Sequence, residues 1–292
     1  MKNYLTFDIG GTEIKYGIIN ELNEFLFKDK FPSKGPLGGK FILEDILLKV
    51  EALKHYNPQG IAISSAGVIN SDTGEVLSAT NSIMNYIGIN IVEYLSSKTG
   101  LKVSAINDVN AMALCEATLG GAKNSKVSIA LTIGTGIGGA ILIDNHIFEG
   151  VAYNAGEFGL MLINEEKYED LAATSVLVRK AQEVFGDQVK NGLDVYNLYD
   201  NKNPKAIELV QKFYNNLSIG LANLTYIFNP DMIVIGGGIT GRKSFIDELN
   251  EFFIPKITPN LRKYTKLVAA THKNDSGMIG AFIHFKEKHL SI

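Results

Sequence analysis

Residues 4–20 read YLTFDIGGTEIKYGIIN. Leu5, Phe7 and Ile9 alternate with Thr6 and Asp8, and Ile14, Tyr16 and Ile18 alternate with Lys15 and Gly17, the period of two expected of paired, half-buried strands. Gly10, Gly11 and Thr12 stand between them and close a β-hairpin. Two adjacent glycines leave backbone N–H groups unscreened by Cβ atoms, so such a turn can wrap an anion. The Thr12 hydroxyl adds a donor, and the Asp8 carboxylate suits a hard metal ion. A hairpin whose glycines merely serve the turn has the same local sequence, so the reading as a phosphate loop depends on the rest of the chain.

The design recurs in residues 128–145, SIALTIGTGIGGAILIDN, where an apolar strand, a turn at Gly134, Thr135 and Gly136, and a second apolar strand follow one another. Two such turns, one in each half of the chain, predict two lobes that clamp one polyphosphate.

Between the hairpins lie a strand over 25–31 and a helical pattern of Ile42, Ile46, Val50 and Leu53 stopped by Asn57-Pro58. The apolar strand at 61–64 ends on small residues at Ala66 and Gly67, where a ligand or another backbone can come close. A helix carrying Ile91 and Leu95 runs to Gly100, and the strand KVSAIND follows. This alternation predicts a largely parallel sheet with helices packed on it. At Asn107-Asp108 strand gives way to a helix that stops at Gly120. Asp108 is open to two readings: an N-cap, or a group facing ligand at the carboxyl end of a parallel strand.

Farther on, Glu157 and Glu169 flank a loop, the spacing predicts a helix over 170–185, and a long helix runs from Pro204 to Asn229-Pro230. The strand DMIVIGGGI delivers Gly236, Gly237 and Gly238 to a helix expected near Gly241, and a flat ligand could lie against such bare backbone. KLVAAT and SGMIGAFIHFKEK supply a last strand and helix.

Composition narrows the function. With 292 residues, 46% of them hydrophobic, the chain can bury more core than one typical domain needs. A formal charge of −3 without a basic cluster argues against nucleic acid. One cysteine, Cys115 in the apolar run AMALCEATL, can make no internal disulfide and no multi-cysteine metal site. The start carries no signal-like apolar stretch and no run of about 18 apolar residues follows, so a cytoplasmic protein without a membrane partner is expected.

In order and spacing, DIGGT at 8–12, AG at 66–67, TN at 80–81, NDVNAMALCEA at 107–117, TIGTGIGGA at 132–140, GEFG at 156–159 and IGGGI at 235–239 resemble the sugar kinases of the ROK family. The resemblance implies an α/β fold of two lobes, actin-like or ribonuclease H-like, with duplicated mixed β-sheets flanked by helices. A small lobe would comprise residues 1–108 plus 276–292 and a large lobe residues 109–275. It also implies that Asp108 is the general base on the sugar hydroxyl. Gly67, Asn81, Asn107, Glu157 and Glu169 would bind sugar, and Asp8, Gly10, Gly11, Thr12, Gly134, Thr135, Gly136, Gly237 and Gly238 would bind ATP, with Mg²⁺ near Asp8. The expected reaction moves the γ-phosphate of ATP to the 6-hydroxyl of a glucosyl unit. A homodimer is compatible with this reading.

Three departures refine it. Leu160 stands where many members carry His, and only seven residues separate Met161 from Glu169, none of them Cys or His, so no structural zinc is expected. Ala66 replaces a usual Pro and Asn70 a usual acidic residue. Leu160 offers an apolar wall near the anomeric position, which points to β-glucosides such as cellobiose or gentiobiose. A glucokinase, an N-acetylmannosamine kinase and a non-catalytic sugar sensor are the alternatives.

Overall fold

The computed structural model describes residues 1–290. The chain forms two compact units, the first of residues 1–115, 149–155 and 274 onward, the second of residues 116–148 and 156–273.

In the first unit β1 (Asn3–Ile9), β2 (Glu13–Asn20) and β3 (Phe25–Pro32) form a meander, followed by α1 (Gly39–Ala52), β4 (Pro58–Ser65), the short β5 (Val68–Ile69) and β6 (Val76–Ser78), α2 (Ile91–Thr99), β7 (Lys102–Asn107) and the start of α3 (Asp108–Leu119). The sheet order is β3-β2-β1-β4-β7. β1–β2 and β2–β3 pair antiparallel, and β1–β4 and β4–β7 pair parallel. The sheet is therefore evenly mixed, not largely parallel. Tight turns can join only antiparallel neighbours, while β4 and β7 each arrive after a helix. Ends are set locally: the Asn90 side chain accepts from the Glu93 amide to cap α2, and Gly100, at φ 71°, closes it.

The second unit repeats the plan with β8 (Val127–Ile133), β9 (Ile137–Ile143), β10 (His146–Ile147), β11 (Leu162–Ile163), β12 (Glu166–Lys167), α4 (Tyr168–Ala172), α5 (Thr174–Phe185), α6 (Gly192–Asp200), α7 (Pro204–Phe228), β13 (Met232–Gly236), α8 (Phe245–Phe253) and β14 (Lys266–Ala269). Its sheet order, β10-β9-β8-β13-β14, again has two antiparallel pairs followed by two parallel ones. The duplicated mixed sheets expected from the sequence are present. The helix predicted over 170–185 is broken at Ala173, which is extended at φ −74°, ψ 150° and separates α4 from α5. The helix expected near Gly241 is first a 3₁₀ turn over Gly238–Gly241, and α8 starts at Phe245.

α9 (Ser276–His289) returns the chain to the first unit, where it packs against β1, β4 and β7. Phe282 and Phe285 meet the Tyr4 ring at 4.8 and 5.5 Å. Gly280 lets the helix lie directly on the Ala111 backbone, which a Cβ would strike. The first core is filled by Phe7, Ile9, Ile42, Ile46, Ile61, Ile63 and Leu95, and the second by Ile129, Leu131, Leu217, Leu221, Ile233 and Ile235, all fully buried.

Candidate active site

In the first unit three parallel strands deliver their carboxyl ends side by side. Asp8 pairs with Ser64 and Ile9 with Ser65, and Ser65 in turn pairs with Asn107. Open α/β sheets bind ligands at that edge. Asp8 is fixed there by the Ser64 hydroxyl, which donates to Oδ1 at 2.7 Å, and by Lys15 Nζ at 3.6 Å from Oδ2. Gly277, in the first turn of α9, leaves the room that the carboxylate fills.

The turn after β1 divides its glycines by task. The Gly10 amide donates to Glu13 O and closes the turn, so it is not available to a phosphate as expected from sequence. The Gly11 and Thr12 amides have no partner among the described residues. Gly11 is also required by packing, because a Cβ would press on Ser82.

Asn107 bears on the question left open for Asp108. Its Oδ1 accepts from the Val109 and Asn110 amides at 2.9 and 3.0 Å, so Asn107 caps α3. Its Nδ2 donates to Gly67 O at 2.9 Å and to Asp108 Oδ1 at 3.0 Å. Two donor hydrogens and two lone pairs are a carboxamide's full capacity. All four are used inside the protein here, so Asn107 holds backbone and Asp108 in place. Asp108, the first helical residue, shares in the capping, because the Val109 amide also lies 2.9 Å from its Oδ1. Gly67 adopts φ +99°, and a Cβ there would strike Ser78 O, so backbone geometry explains this glycine. Asn81 is exposed on the loop before Ile83, with no hydrogen bond among the described residues.

In the second unit the Gly134 amide donates to Gly136 O, leaving the Thr135 and Gly136 amides without partners among the described residues. The break at Ala173 lets α5 begin against this loop. There the Ser175 amide donates to Gly134 O at 3.1 Å and the Ser175 hydroxyl to Thr135 O at 2.6 Å. Gly134, Thr135, Thr174, Ser175, Arg179, Gln182, Lys190, Asn191, Tyr196, Gly238, Ile239 and Arg242 are among the lining residues of a cavity of about 500 Å³. Arg179 and Lys190 make no ion pair among the described residues, which suits an anionic ligand, and the volume suits a nucleotide. Arg242 is held by Asp200, through two 2.8 Å bonds, and by Glu248, and it lies 4.6 Å over the Tyr196 ring. Gly238 has open space at its Cβ position, whereas Gly237, at φ +96°, is a glycine because a Cβ would run into the Ile133 backbone.

The two glutamates come together. Burial, and then the charge of Glu169, push the Glu157 carboxyl above its usual range. Glu169 Oε2 accepts from the Ile137 amide at 3.4 Å and lies against Gly136, so this carboxylate touches the second glycine loop, and Oε1 has no partner among the described residues. Leu160 follows in the 3₁₀ turn Phe158–Leu160 and is 51% exposed.

Glu116 is fully buried beside His272, with Cys115 next to it in sequence, a grouping with metal-ligand character. Its carboxylate already accepts from the amides of Gly121, Thr271 and His272 and from the Thr271 hydroxyl, so it ties residues 120–121 to 271–272. The cavity wall contributed by α5 and residues 190–193 was missed from sequence, since Thr174, Ser175 and Gln182 read there as ordinary positions of an amphipathic helix.

The profile of the ROK family matches residues 4–288. The chain is 34% identical over 292 residues to the beta-glucoside kinase of Listeria monocytogenes, covering 97% of each chain. The solved structure of the Lmo2764 protein from Listeria monocytogenes is similar with a TM-score of 0.89 at 32% identity, covering 98% of this chain and 99% of that one. A ROK family protein from Streptococcus pneumoniae TIGR4 in complex with sucrose gives a TM-score of 0.86 at 27% identity, covering 98% of each chain.

Proposed function

This chain belongs to the ROK family, and from that premise we propose that it is an ATP-dependent sugar kinase, active on the 6-hydroxyl of the glucosyl unit of β-glucosides such as cellobiose or gentiobiose. The observation that carries the catalytic part is the bonding at the start of α3. Asn107 caps the helix through the Val109 and Asn110 amides and bonds Asp108 Oδ1, which also takes the Val109 amide, so the adjacent carboxylate is held in one orientation at the carboxyl end of β7.

Asp108 acts as the base, taking the hydroxyl proton as the sugar oxygen attacks the γ-phosphorus and ADP leaves. Asn81, Glu157 and Glu169 bind sugar hydroxyls, each carboxylate accepting more than one. The amides of Gly11, Thr12, Thr135 and Gly136 hold phosphate oxygens, and the base and ribose occupy the cavity lined by Tyr196 and Gly238. Asp8 is the carboxylate that would hold Mg²⁺. A single carboxylate fits an ion that keeps several waters and takes its other ligands from phosphate, and the ion when bound neutralises charge on the triphosphate.

The substrate class rests on Leu160 and on the similarity to a beta-glucoside kinase. A leucine offers a free anomeric hydroxyl no hydrogen bond, which costs a reducing sugar about 0.5–1.5 kcal/mol, whereas a β-glucoside has no hydroxyl to lose there. ADP release with Mg²⁺-ATP, measured across glucose, N-acetylmannosamine, N-acetylglucosamine, cellobiose and gentiobiose, tests both parts. A disaccharide is expected to lead, and Leu160→His is expected to shift kcat/KM toward glucose. A wild type that prefers glucose more than tenfold defeats the β-glucoside reading; no turnover with any sugar defeats the kinase.

A further inference from the structure

Asp8 and Lys15 face one another across the first hairpin. They are directly opposed in the β1–β2 register, so both side chains leave the same face of the sheet. The carboxylate is held from three sides. Oδ1 takes the hydroxyl of Ser64, itself fully buried, the first turn of α9 closes over the group at Gly277, and Oδ2 faces Lys15 Nζ at 3.6 Å. With side-chain exposures of 30% for Lys15 and 19% for Asp8, the pair is partly sheltered, so neither charge is freely replaced by water.

This arrangement conflicts with direct metal binding as it stands. A magnesium ion on Oδ2 would sit about 2.1 Å from that oxygen, in the space that the ammonium faces. Two cations would then share one carboxylate oxygen. Lys15 also has a second destination close by: the unpartnered amides of Gly11 and Thr12 belong to the same hairpin, so an anion gathered there lies within the reach of a flexible lysine.

We infer that Lys15 is an exchangeable counter-ion: it neutralises Asp8 in the nucleotide-free protein and moves to a phosphate oxygen when a divalent cation takes Oδ2. This rests on the reading of the first hairpin as a nucleotide site. The exchange keeps the carboxylate partnered in both states, and it suppresses metal binding until a phosphate can receive the lysine.

The test compares wild type, Lys15→Met and Lys15→Arg as full-length chains, with Mn²⁺ alone and with the non-hydrolysable ATP analogue AMPPNP in the absence of metal. Without nucleotide, Lys15→Met is expected to bind Mn²⁺ at least fivefold more tightly than wild type, because the competing cation is gone, and a second change, Asp8→Asn, removes that gain. Without metal, Lys15→Met is expected to bind AMPPNP at least fivefold more weakly, and Lys15→Arg to stay near wild type in both measurements. Unchanged or weaker Mn²⁺ binding by Lys15→Met, or unchanged metal-free AMPPNP affinity, overturns the exchange and leaves Lys15 a structural ion pair. Neither readout uses sugar or turnover, so failure of the kinase reading would appear separately, as absent ADP release in the wild type.

Discussion

At the start of α3, neighbouring Asn and Asp are both good helix caps, and no rule of sequence says which one does the work. Asn107 does most of it, with the amide N–H groups of Val109 and Asn110 on its oxygen, and Asp108 shares only the first of them. Asp108→Asn should therefore keep the thermal midpoint and the sugar KM near wild type while kcat falls by about 10²–10⁴. A kcat within threefold of wild type would remove Asp108 from the chemistry. Asn107→Ala should instead lower stability by about 1 kcal/mol for the lost cap and lower kcat as well, because Asp108 Oδ1 loses one of its donors. Calorimetry and steady-state kinetics on the two variants separate these roles. Glu157 gives a prediction of opposite sign. Folding lifts its carboxyl above the ordinary 4.5, so the folded chain holds that proton more tightly than the unfolded one. The resulting stability is complete below 4.5 and is lost as pH rises through the folded value. At neutral pH the sheltered charge beside Glu169 is a burden, and Glu157→Gln should raise the melting temperature, by no more than about 2–4 °C because the residue as a whole is exposed and solvent screens it, while weakening sugar binding. A lower melting temperature at pH 7 would contradict this.

Among the elements, the glycine turns were the most legible, since alternating strands around Gly and Thr leave few other interpretations. What each glycine is for was not legible. Gly10 closes its own turn, Gly11 makes room for Ser82, and Gly237 is demanded by the Ile133 backbone, whereas Gly134 meets nothing within 4 Å. These pressures come from neighbours distant in sequence. They yield a paired prediction: Gly237→Ala should destabilise by more than about 2 kcal/mol through strain at positive φ and backbone collision. Gly134→Ala should fold as wild type but bind AMPPNP more weakly, because its methyl group enters the cavity proposed for the nucleotide. Equal nucleotide affinity in Gly134→Ala would move the phosphates elsewhere. α6 was overlooked, although its capping box, Asn191 with Asp194, is written in the sequence. The break at Ala173 carries no such mark: no Gly or Pro stands there, and the new helix start is secured by the carbonyls of residues 134 and 135.

At the scale of the whole chain, two units of one strand order divide the proposed work. The base and Asp8 belong to the first, and the nucleotide cavity and both glutamates to the second. Hydrogen exchange should reflect that division. AMPPNP alone should slow exchange at 133–136, 174–193 and 238–242, and cellobiose alone at 80–83, 107–109 and 157–160. Absence of nucleotide protection across the second-unit segments would rule out that cavity as the nucleotide's seat.

α9 adds a constraint of another kind, on the order in which the protein can be made. It covers β1, β4 and β7, places Phe282 and Phe285 on Tyr4, and rests on the Ala111 backbone at Gly280. During synthesis the strands it covers emerge long before this helix does. Until it is made, the first unit keeps an apolar sheet face uncovered, while the second unit, complete by residue 273, is free to fold ahead of it.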